Sequence, residues 1–180
     1  MNLRRLRLRA VWLLVVPFLW LARPTPLHLA AGAPLALLGL LVRAWAAGTI
    51  RKDEELTTGG PYAYTRNPLY LGSFLLGLGI TVAGGHWAWP ALFLAFFAAA
   101  YGRTMASERR VLGERFGERY TEWASCVPAF LPRRPPWRGP DSQRRAFTWA
   151  RYHRNREWEA ALGALAGFAF LALRAWLTEP

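Results

Sequence analysis

Long apolar runs separated by arginine-rich stretches limit most strongly what this chain can fold into. A helix needs about 20 mainly apolar residues to cross the hydrocarbon core of a bilayer, where its backbone polar groups must be satisfied internally. Runs of this kind cover residues 10–22, 27–48, 69–83, 87–105 and 158–177. We therefore expect an all-α, polytopic membrane protein with about five transmembrane helices, forming a single domain over residues 1–180.

The first run is the shortest, and it follows arginines at positions 4, 5, 7 and 9, as in a secretory signal peptide. No small-x-small cleavage site follows directly. We interpret this run as a short first helix whose flanking side chains snorkel to the membrane surface.

The net charge of +12 is distributed unevenly along the chain. Of 23 Lys and Arg residues, 21 lie in three polar stretches, which are the N-terminus up to position 9, the segment from Arg43 to Arg66 and the segment from Arg103 to Arg156. Only Arg23 and Arg174 lie elsewhere. If the three stretches face the cytoplasm, the charge is the positive-inside bias of membrane proteins and requires no nucleic acid. We expect a prokaryotic inner membrane protein whose N-terminus and site face the cytoplasm. Arg43, inside the second run, is interpreted as snorkelling to that interface.

Metal and redox chemistry find no support in the sequence. A single cysteine, Cys126, excludes an internal disulfide, and the three histidines lie far apart at positions 28, 86 and 153. No His or Cys cluster has the spacing of metal ligands, and no serine or cysteine nucleophile has a nearby base. We expect no metal.

The segment before the third run, residues 56–72, reads LTTGGPYAYTRNPLYLG and is called the tyrosine loop below. Gly59-Gly60-Pro61 predicts one turn, and Asn67-Pro68 predicts a second. Three tyrosines and an arginine lie between and just after these turns. Such a loop can fold over a polar ligand at the membrane surface.

The fourth run continues into residues 108–128, called the amphipathic segment below. Apolar residues recur there at helical spacing, and the glycine at 117 predicts a break near Phe116-Gly117. Only one helical hairpin separates this segment from the tyrosine loop, so both should emerge on the same face of the membrane. Pro132–Pro136 is interpreted as a stiff linker, and Asp141-Ser142 as the cap of a basic interfacial helix.

Both segments carry patterns of a known family. The tyrosine loop contains T-x-G-P-Y-x-x-x-R-N-P-x-Y-x-G, and the amphipathic segment contains E-x-x-x-L-x-x-x-F-G-x-x-Y followed by V-P. In this order they resemble the signatures of the isoprenylcysteine carboxyl methyltransferase and phospholipid methyltransferase family, over residues 56–132. The resemblance implies an integral membrane enzyme that uses S-adenosyl-L-methionine, releases S-adenosyl-L-homocysteine, and methylates a lipidic or small hydrophobic acceptor among the membrane lipids.

The resemblance also implies a site. The cofactor contacts that it carries over are Leu56, Thr57, Tyr62, Asn67, Pro68, Leu69, Tyr70 and Glu108. By their chemistry, Arg66 and the backbone N–H of Gly60 can hold a carboxylate, Tyr120 can help to enclose the adenosine, and Glu108 can hold an ammonium or hydroxyl. Arg103 and Glu108 are expected to act in catalysis, although Arg103 lies one residue further from the glutamate than the family's substrate-contacting arginine.

Two positions depart from the family pattern. Asn67 stands where most members have histidine, so a base is excluded there while a hydrogen bond to the cofactor is not. Arg109 replaces the second acidic residue of a Glu-Glu pair. The lack of a base favours an acceptor that is already ionised.

Structural interpretations remain open beside these functional ones. Tyr64 and Trp123 can be interface anchors, Glu108 can simply pair with Arg103 or Arg110, and Asn67-Pro68 can be only a turn. Glycines at 72, 77 and 79 fit close helix packing, although Gly77-Leu78-Gly79 also resembles a glycine pair near the cofactor of the phospholipid branch. For the whole chain, the alternatives are a lipid reductase of the sterol-reductase kind, binding a nicotinamide dinucleotide, and a non-catalytic membrane subunit.

Overall fold

The computed structural model describes residues 14–51, 55–139 and 146–178, and these residues form helices and no strand. Helix α1 covers residues 14–21 of the described part. It is followed by α2 (Pro26–Thr49), a 3-10 turn (Gly60–Ala63), α3 (Pro68–Ala83), α4 (Ala88–Cys126), α5 (Trp149–Arg154) and α6 (Trp158–Thr178). The all-α prediction is confirmed.

Helices α2 and α3 form an antiparallel pair held together by glycines. A Cβ on Gly72 would lie 2.7 Å from the carbonyl oxygen of Gly39, and one on Gly79 would lie 2.6 Å from that of Gly32. The two backbones therefore touch along the pair, as small residues permit in membrane helices. The packing interpretation holds for Gly77 too, because the nearest ring atom of Phe93 in α4 lies 2.4 Å from where its Cβ would be.

Aromatic rings and a buried leucine attach the remaining helices. Helix α4 runs antiparallel to α3, with ring centroids 5.1 Å apart for Phe74 and Phe97 and 5.2 Å apart for Tyr70 and Tyr101. Helix α6 buries Leu171 in a cluster with Phe18, Ala22 and Ala83. The far end of the bundle, away from the tyrosine loop, is thus closed by α1 and the end of α6.

The lengths and compositions of the helices do not support the expected five membrane spans. Within the described residues, two helices are long and apolar enough to cross a bilayer, α2 and α6. Helix α3 has 16 residues and is shorter than a full span. The apolar part of α4 contains Trp, Pro and Tyr residues that lower its hydropathy, and the beginning of the first run lies outside the described residues.

Helix α4 does not end at Met105, where the fourth span was expected to leave the membrane. It continues through the amphipathic segment for 39 residues in all. The predicted break is confirmed, since Gly117 interrupts the helix with φ 53° and ψ −127°. The kink turns the last part of α4 toward the tyrosine loop.

The segment after α4 is not a free linker. The backbone N–H groups of Arg133 and Trp137 donate to the carbonyl oxygens of Tyr64 and Ala63, both at 2.9 Å. This segment therefore packs on the tyrosine loop. The predicted cap at Asp141-Ser142 lies outside the described residues, and Thr148 caps α5 by accepting from Arg151 N at 3.4 Å.

Candidate functional site

The tyrosine loop and the amphipathic segment meet at one end of the bundle. Arg66 N donates to the carbonyl oxygen of Pro128 at 2.9 Å, and the indole Nε1 of Trp123 donates to that of Tyr62 at 3.2 Å. Asn67 Nδ2 donates to the carbonyl oxygen of Ala129 at 2.8 Å. The turns of the tyrosine loop are predicted from neighbouring residues, whereas the loop is held in place by hydrogen bonds to residues far away in the sequence.

A small aromatic core underlies this contact. Tyr62, Tyr120, Trp123 and Val127 are buried together with Ala46 of α2. Because Trp123 is 2% exposed, the interface-anchor interpretation is wrong for it. Half-buried Tyr64 instead lies against Trp45, with ring centroids 5.9 Å apart.

A cavity of about 1010 Å³ opens beside this core. It lies between the tyrosine loop and helices α2, α3, α4 and α6, and its volume is at the upper end of the roughly 300–1,000 Å³ typical of ligand pockets. Nine of the residues predicted for the site line it: Leu56, Thr57, Tyr62, Arg66, Asn67, Pro68, Leu69, Tyr70 and Glu108.

Three predicted residues lie outside this lining. Gly60 has a positive φ of 59° at the start of the 3-10 turn, where a Cβ would lie 3.0 Å from the Thr49 side chain. Tyr120 is buried, and its hydroxyl accepts a hydrogen bond from Arg66 Nη1 at 3.4 Å. Arg103 is exposed on α4. Tyr120 therefore positions Arg66, while Arg103 does not reach the wall of the cavity.

A hydrogen bond between α3 and α4 crosses the cavity wall. The Tyr70 hydroxyl donates to Glu108 Oε1 at 2.5 Å. Arg110, one of the partners considered for Glu108, instead approaches Glu114 at 3.6 Å. Glu108 is thus held at the cavity by a neutral donor.

Three buried polar atoms of the tyrosine loop have no hydrogen-bond partner among the described residues: Thr57 Oγ1, the Tyr62 hydroxyl and Arg66 Nε. All three belong to residues that line the cavity. Burial, followed by the charges of Glu108 and Glu157, raises the pKa of Tyr62 well above its ordinary value, so its hydroxyl keeps its proton. Buried polar groups without a protein partner are costly in a folded protein unless water, an ion or a ligand satisfies them.

The sequence interpretation missed the opposite wall. Arg43 does not simply snorkel: its Nε donates to Glu157 Oε1 at 2.5 Å, and its Nη2 donates to Glu157 Oε2 at 3.0 Å. Arg43 Nη1 also donates to Ser73 Oγ. A lone arginine in an apolar run was the available signal, but its partner lies 114 residues further along the chain.

No group of three or more His, Cys, Asp or Glu side chains in the described ranges has the arrangement of a metal site. The cavity instead offers tyrosine, threonine and serine hydroxyls together with charged side chains. Its polar groups suit an organic ligand that carries several hydrogen-bonding atoms.

The described residues form a helical bundle in which two helices are long and apolar enough to cross a bilayer, and a polar cavity lies at one end of it. The chain belongs to the phospholipid methyltransferase family, whose family model matches residues 28–119. The expected family is thereby confirmed. No solved structure matches the chain.

Three curated relatives are similar to part of the chain. The cobalt-zinc-cadmium resistance protein CzcN of Cupriavidus metallidurans is 36% identical over 64% of this chain and 54% of its own length. The nickel-cobalt-cadmium resistance protein NccN of Alcaligenes xylosoxydans xylosoxydans is 35% identical over 57% and 47%. The protein-S-isoprenylcysteine O-methyltransferase of Schizosaccharomyces pombe is 32% identical over 45% and 34%. The chain therefore spans about half the length of the first two and a third of the last.

Proposed function

We propose that the chain is a membrane methyltransferase that uses S-adenosyl-L-methionine to methylate a lipidic or small hydrophobic acceptor. One observation carries the proposal: the three partnerless buried polar atoms, on Thr57, Tyr62 and Arg66, belong to the loop that resembles the family's cofactor signature. Family membership and the similarity to an isoprenylcysteine methyltransferase support it.

The cavity residues offer groups for each part of this donor. Arg66 Nε can donate to the carboxylate, while the oxygens of Glu108 can accept from the ammonium or from a ribose hydroxyl. The Tyr62 hydroxyl remains protonated and can donate, and Tyr70 presents a ring edge or face to the adenosine. Leu56, Pro68 and Leu69 supply apolar contacts, and the hydroxyl of Thr57 can serve as donor or acceptor.

When bound, the donor supplies an electrophilic methyl group on a sulfonium, so that a new acceptor–CH₃ bond forms as the S–CH₃ bond breaks and its electron pair stays on sulfur. The protein's part is to align the reacting atoms at roughly 3–3.5 Å and to exclude water. We propose that the site faces the cytoplasm, which places the basic stretches on that side. We propose that Arg103, exposed in the middle of α4, contacts the acceptor.

The test is a calorimetric titration of the purified full chain, in phosphatidylcholine nanodiscs, with S-adenosyl-L-homocysteine. We expect saturable binding with a dissociation constant on the order of micromolar, about −8 kcal/mol. Binding of a nicotinamide dinucleotide instead would favour a reductase, and binding of neither would favour a non-catalytic subunit. Incubating membranes with radiolabelled donor then identifies the methylated acceptor.

A further inference from the structure

The wall of the cavity opposite the tyrosine loop is built by Arg43 of α2, Ser73 of α3 and Glu157 beside the start of α6. Arg43 lies six residues before the end of α2, and Ser73 lies five residues after the start of α3. At 1.5 Å of rise per residue, these side chains begin roughly 7–9 Å further into the bundle than the ends of their helices. This deeper wall therefore lies nearer the apolar part of the bundle than the tyrosine loop does.

The guanidinium of Arg43 is held rigidly in this wall. Glu157 accepts two of its hydrogen bonds and Ser73 accepts a third, while the side chains of Arg43 and Glu157 are only 22% and 7% exposed. An arginine has five N–H donors. Two donors of Arg43 therefore remain without a partner among the described residues, on a side chain that lines the cavity.

A gain in stability is a weak explanation for such a pair. Two charges removed from water cost several kcal/mol each, and a buried ion pair is often no more stabilising than apolar residues of the same volume. The fold also makes room for this arginine, since a Cβ on Gly72 would lie 2.5 Å from Arg43 Cγ. Ionisable groups buried in a membrane helix bundle indicate a ligand or ion site.

The charges of the lining favour an anionic ligand at this wall. Five arginines and four glutamates line the cavity, which gives it a formal charge of +1. The donor of the proposed function adds a further positive charge, because its sulfonium is not balanced by its zwitterionic end. The described lining residues include no His, Lys or Cys that could deprotonate an ammonium near neutral pH.

We propose that Arg43 binds an anionic oxygen of the amphiphilic acceptor and determines its charge class, and that Glu157 is a positioning residue that fixes the guanidinium for this contact. The site is then completed by α6, whose residues lie beyond the segment that matches the family. This proposal rests on the proposed function in one respect: the anion is identified as the methyl acceptor only if the chain is a methyltransferase.

The probes for the test are decanoate and decylamine, which share a chain and differ in charge. Each is titrated into the full chain in phosphatidylcholine nanodiscs with S-adenosyl-L-homocysteine present, following tryptophan fluorescence and subtracting empty nanodiscs. We expect decanoate to bind the wild type about tenfold more tightly than decylamine. Tighter binding of decylamine would overturn the proposal.

The main variant is the double substitution Arg43→Gln with Glu157→Gln, which removes both charges without leaving one unpaired. It should bind S-adenosyl-L-homocysteine as the wild type does but bind decanoate about tenfold more weakly. Arg174→Gln is the matched control: Arg174 Nη1 joins α6 to the carbonyl oxygens of Leu19 and Trp20, at 2.6 and 2.8 Å, far from the cavity. Wild-type affinity for decanoate in the double variant would overturn the inference.

The single variant Glu157→Gln separates positioning from simple charge. This substitution makes the cavity more positive. If Glu157 only balances the charge of Arg43, the variant should bind decanoate more tightly than the wild type. If Glu157 positions the guanidinium, the variant should bind decanoate more weakly. If decanoate binding depends on Arg43 but S-adenosyl-L-homocysteine does not bind, the methyltransferase proposal is contradicted and this inference is not. Binding of S-adenosyl-L-homocysteine with decanoate indifferent to Arg43 would contradict this inference alone.

Discussion

A tyrosine hydroxyl group holds one of the charged side chains that line the cavity, Glu108, in place. Tyr70 donates to Glu108 at 2.5 Å and thereby links α3 to α4. Both residues were predicted from the sequence as cofactor contacts, and both line the cavity. Their bond fixes an otherwise exposed carboxylate at the mouth of the proposed donor site.

Removing either end of this bond should weaken donor binding. Tyr70→Phe and Glu108→Gln are each expected to cost about 1–3 kcal/mol in affinity for S-adenosyl-L-homocysteine, because polar groups of the ligand lose their partners in a partly desolvated site. Calorimetry measures the effect. Tyr64→Phe is the matched control, since it removes a tyrosine hydroxyl from the same loop outside the cavity lining. Wild-type affinity in both variants would mean that the donor binds elsewhere.

Tyr62 should show opposite effects on stability and binding. Its buried hydroxyl has no partner among the described residues, so Tyr62→Phe should not lower the thermal unfolding midpoint of the free protein. The same change should weaken donor binding by about 1–3 kcal/mol, because the ligand atom that the hydroxyl would contact then has no partner. A lower midpoint with unchanged affinity would show that the protein itself satisfies this hydroxyl.

At the scale of elements, two glycines determine how the helices approach one another. Gly72 lets α2 and Arg43 lie against α3, and Gly117 kinks α4 so that Tyr120 and Trp123 reach the tyrosine loop. Gly72 is needed because a side chain would not fit there, and Gly117 is needed because of its backbone conformation.

Gly72→Ala should destabilise the protein by about 1–3 kcal/mol, because the added methyl group would lie 2.5 Å from Arg43 Cγ and 2.7 Å from the Gly39 carbonyl oxygen. Gly167→Ala is the control, since a Cβ at Gly167 of α6 meets nothing within 4 Å. Thermal unfolding in detergent measures both. Equal midpoints for the two variants would contradict the tight α2–α3 contact.

Gly117→Ala should cost about 1–3 kcal/mol of stability, because φ 53° with ψ −127° is a region that residues with a Cβ avoid. Gly113→Ala, one turn earlier, should instead stabilise the helix by about 1 kcal/mol, since the Cβ would have ordinary contacts of 3.8 Å and longer. Chemical denaturation compares the two. A stabilising effect at both positions would mean that α4 is straight.

For the whole molecule, the prediction concerns the side of the membrane. The tyrosine loop, the end of α4 and α5 lie at one end of the bundle, and the turns at residues 22–25 and 84–87 lie at the other. Because 21 of 23 basic residues lie in the three polar stretches, the first of these ends should face the cytoplasm.

The exposed Cys126 is a natural reporter for this orientation. In intact cells it should resist a membrane-impermeant maleimide, while a cysteine introduced as Thr25→Cys in a Cys126→Ser background should react. Cysteine at position 60 or 115 should behave like Cys126. Labelling of these positions from outside would reverse the topology and contradict a cytoplasmic site.

The sequence by itself determined the features that depend on local chemistry. Apolar runs predict the helices, Gly59-Gly60-Pro61 and Asn67-Pro68 predict the turns, and the glycine at 117 predicts the kink. Each of these signals depends only on residues that are close in sequence. Of the nine predicted residues that line the cavity, eight were implied by the resemblance of two short segments to a known family, and Arg66 was predicted from the chemistry of its side chain.

Only the tertiary structure decided which side chains face one another across the cavity. Arg43 meets Glu157 across 114 positions, and no local pattern encodes that pairing. Arg103 lies five residues before Glu108, which rotates it by over 100° around α4 and leaves it outside the cavity lining. The packing of Pro132–Pro136 on the tyrosine loop likewise depends on neighbours that are distant in sequence, because burial is a property of the assembled bundle.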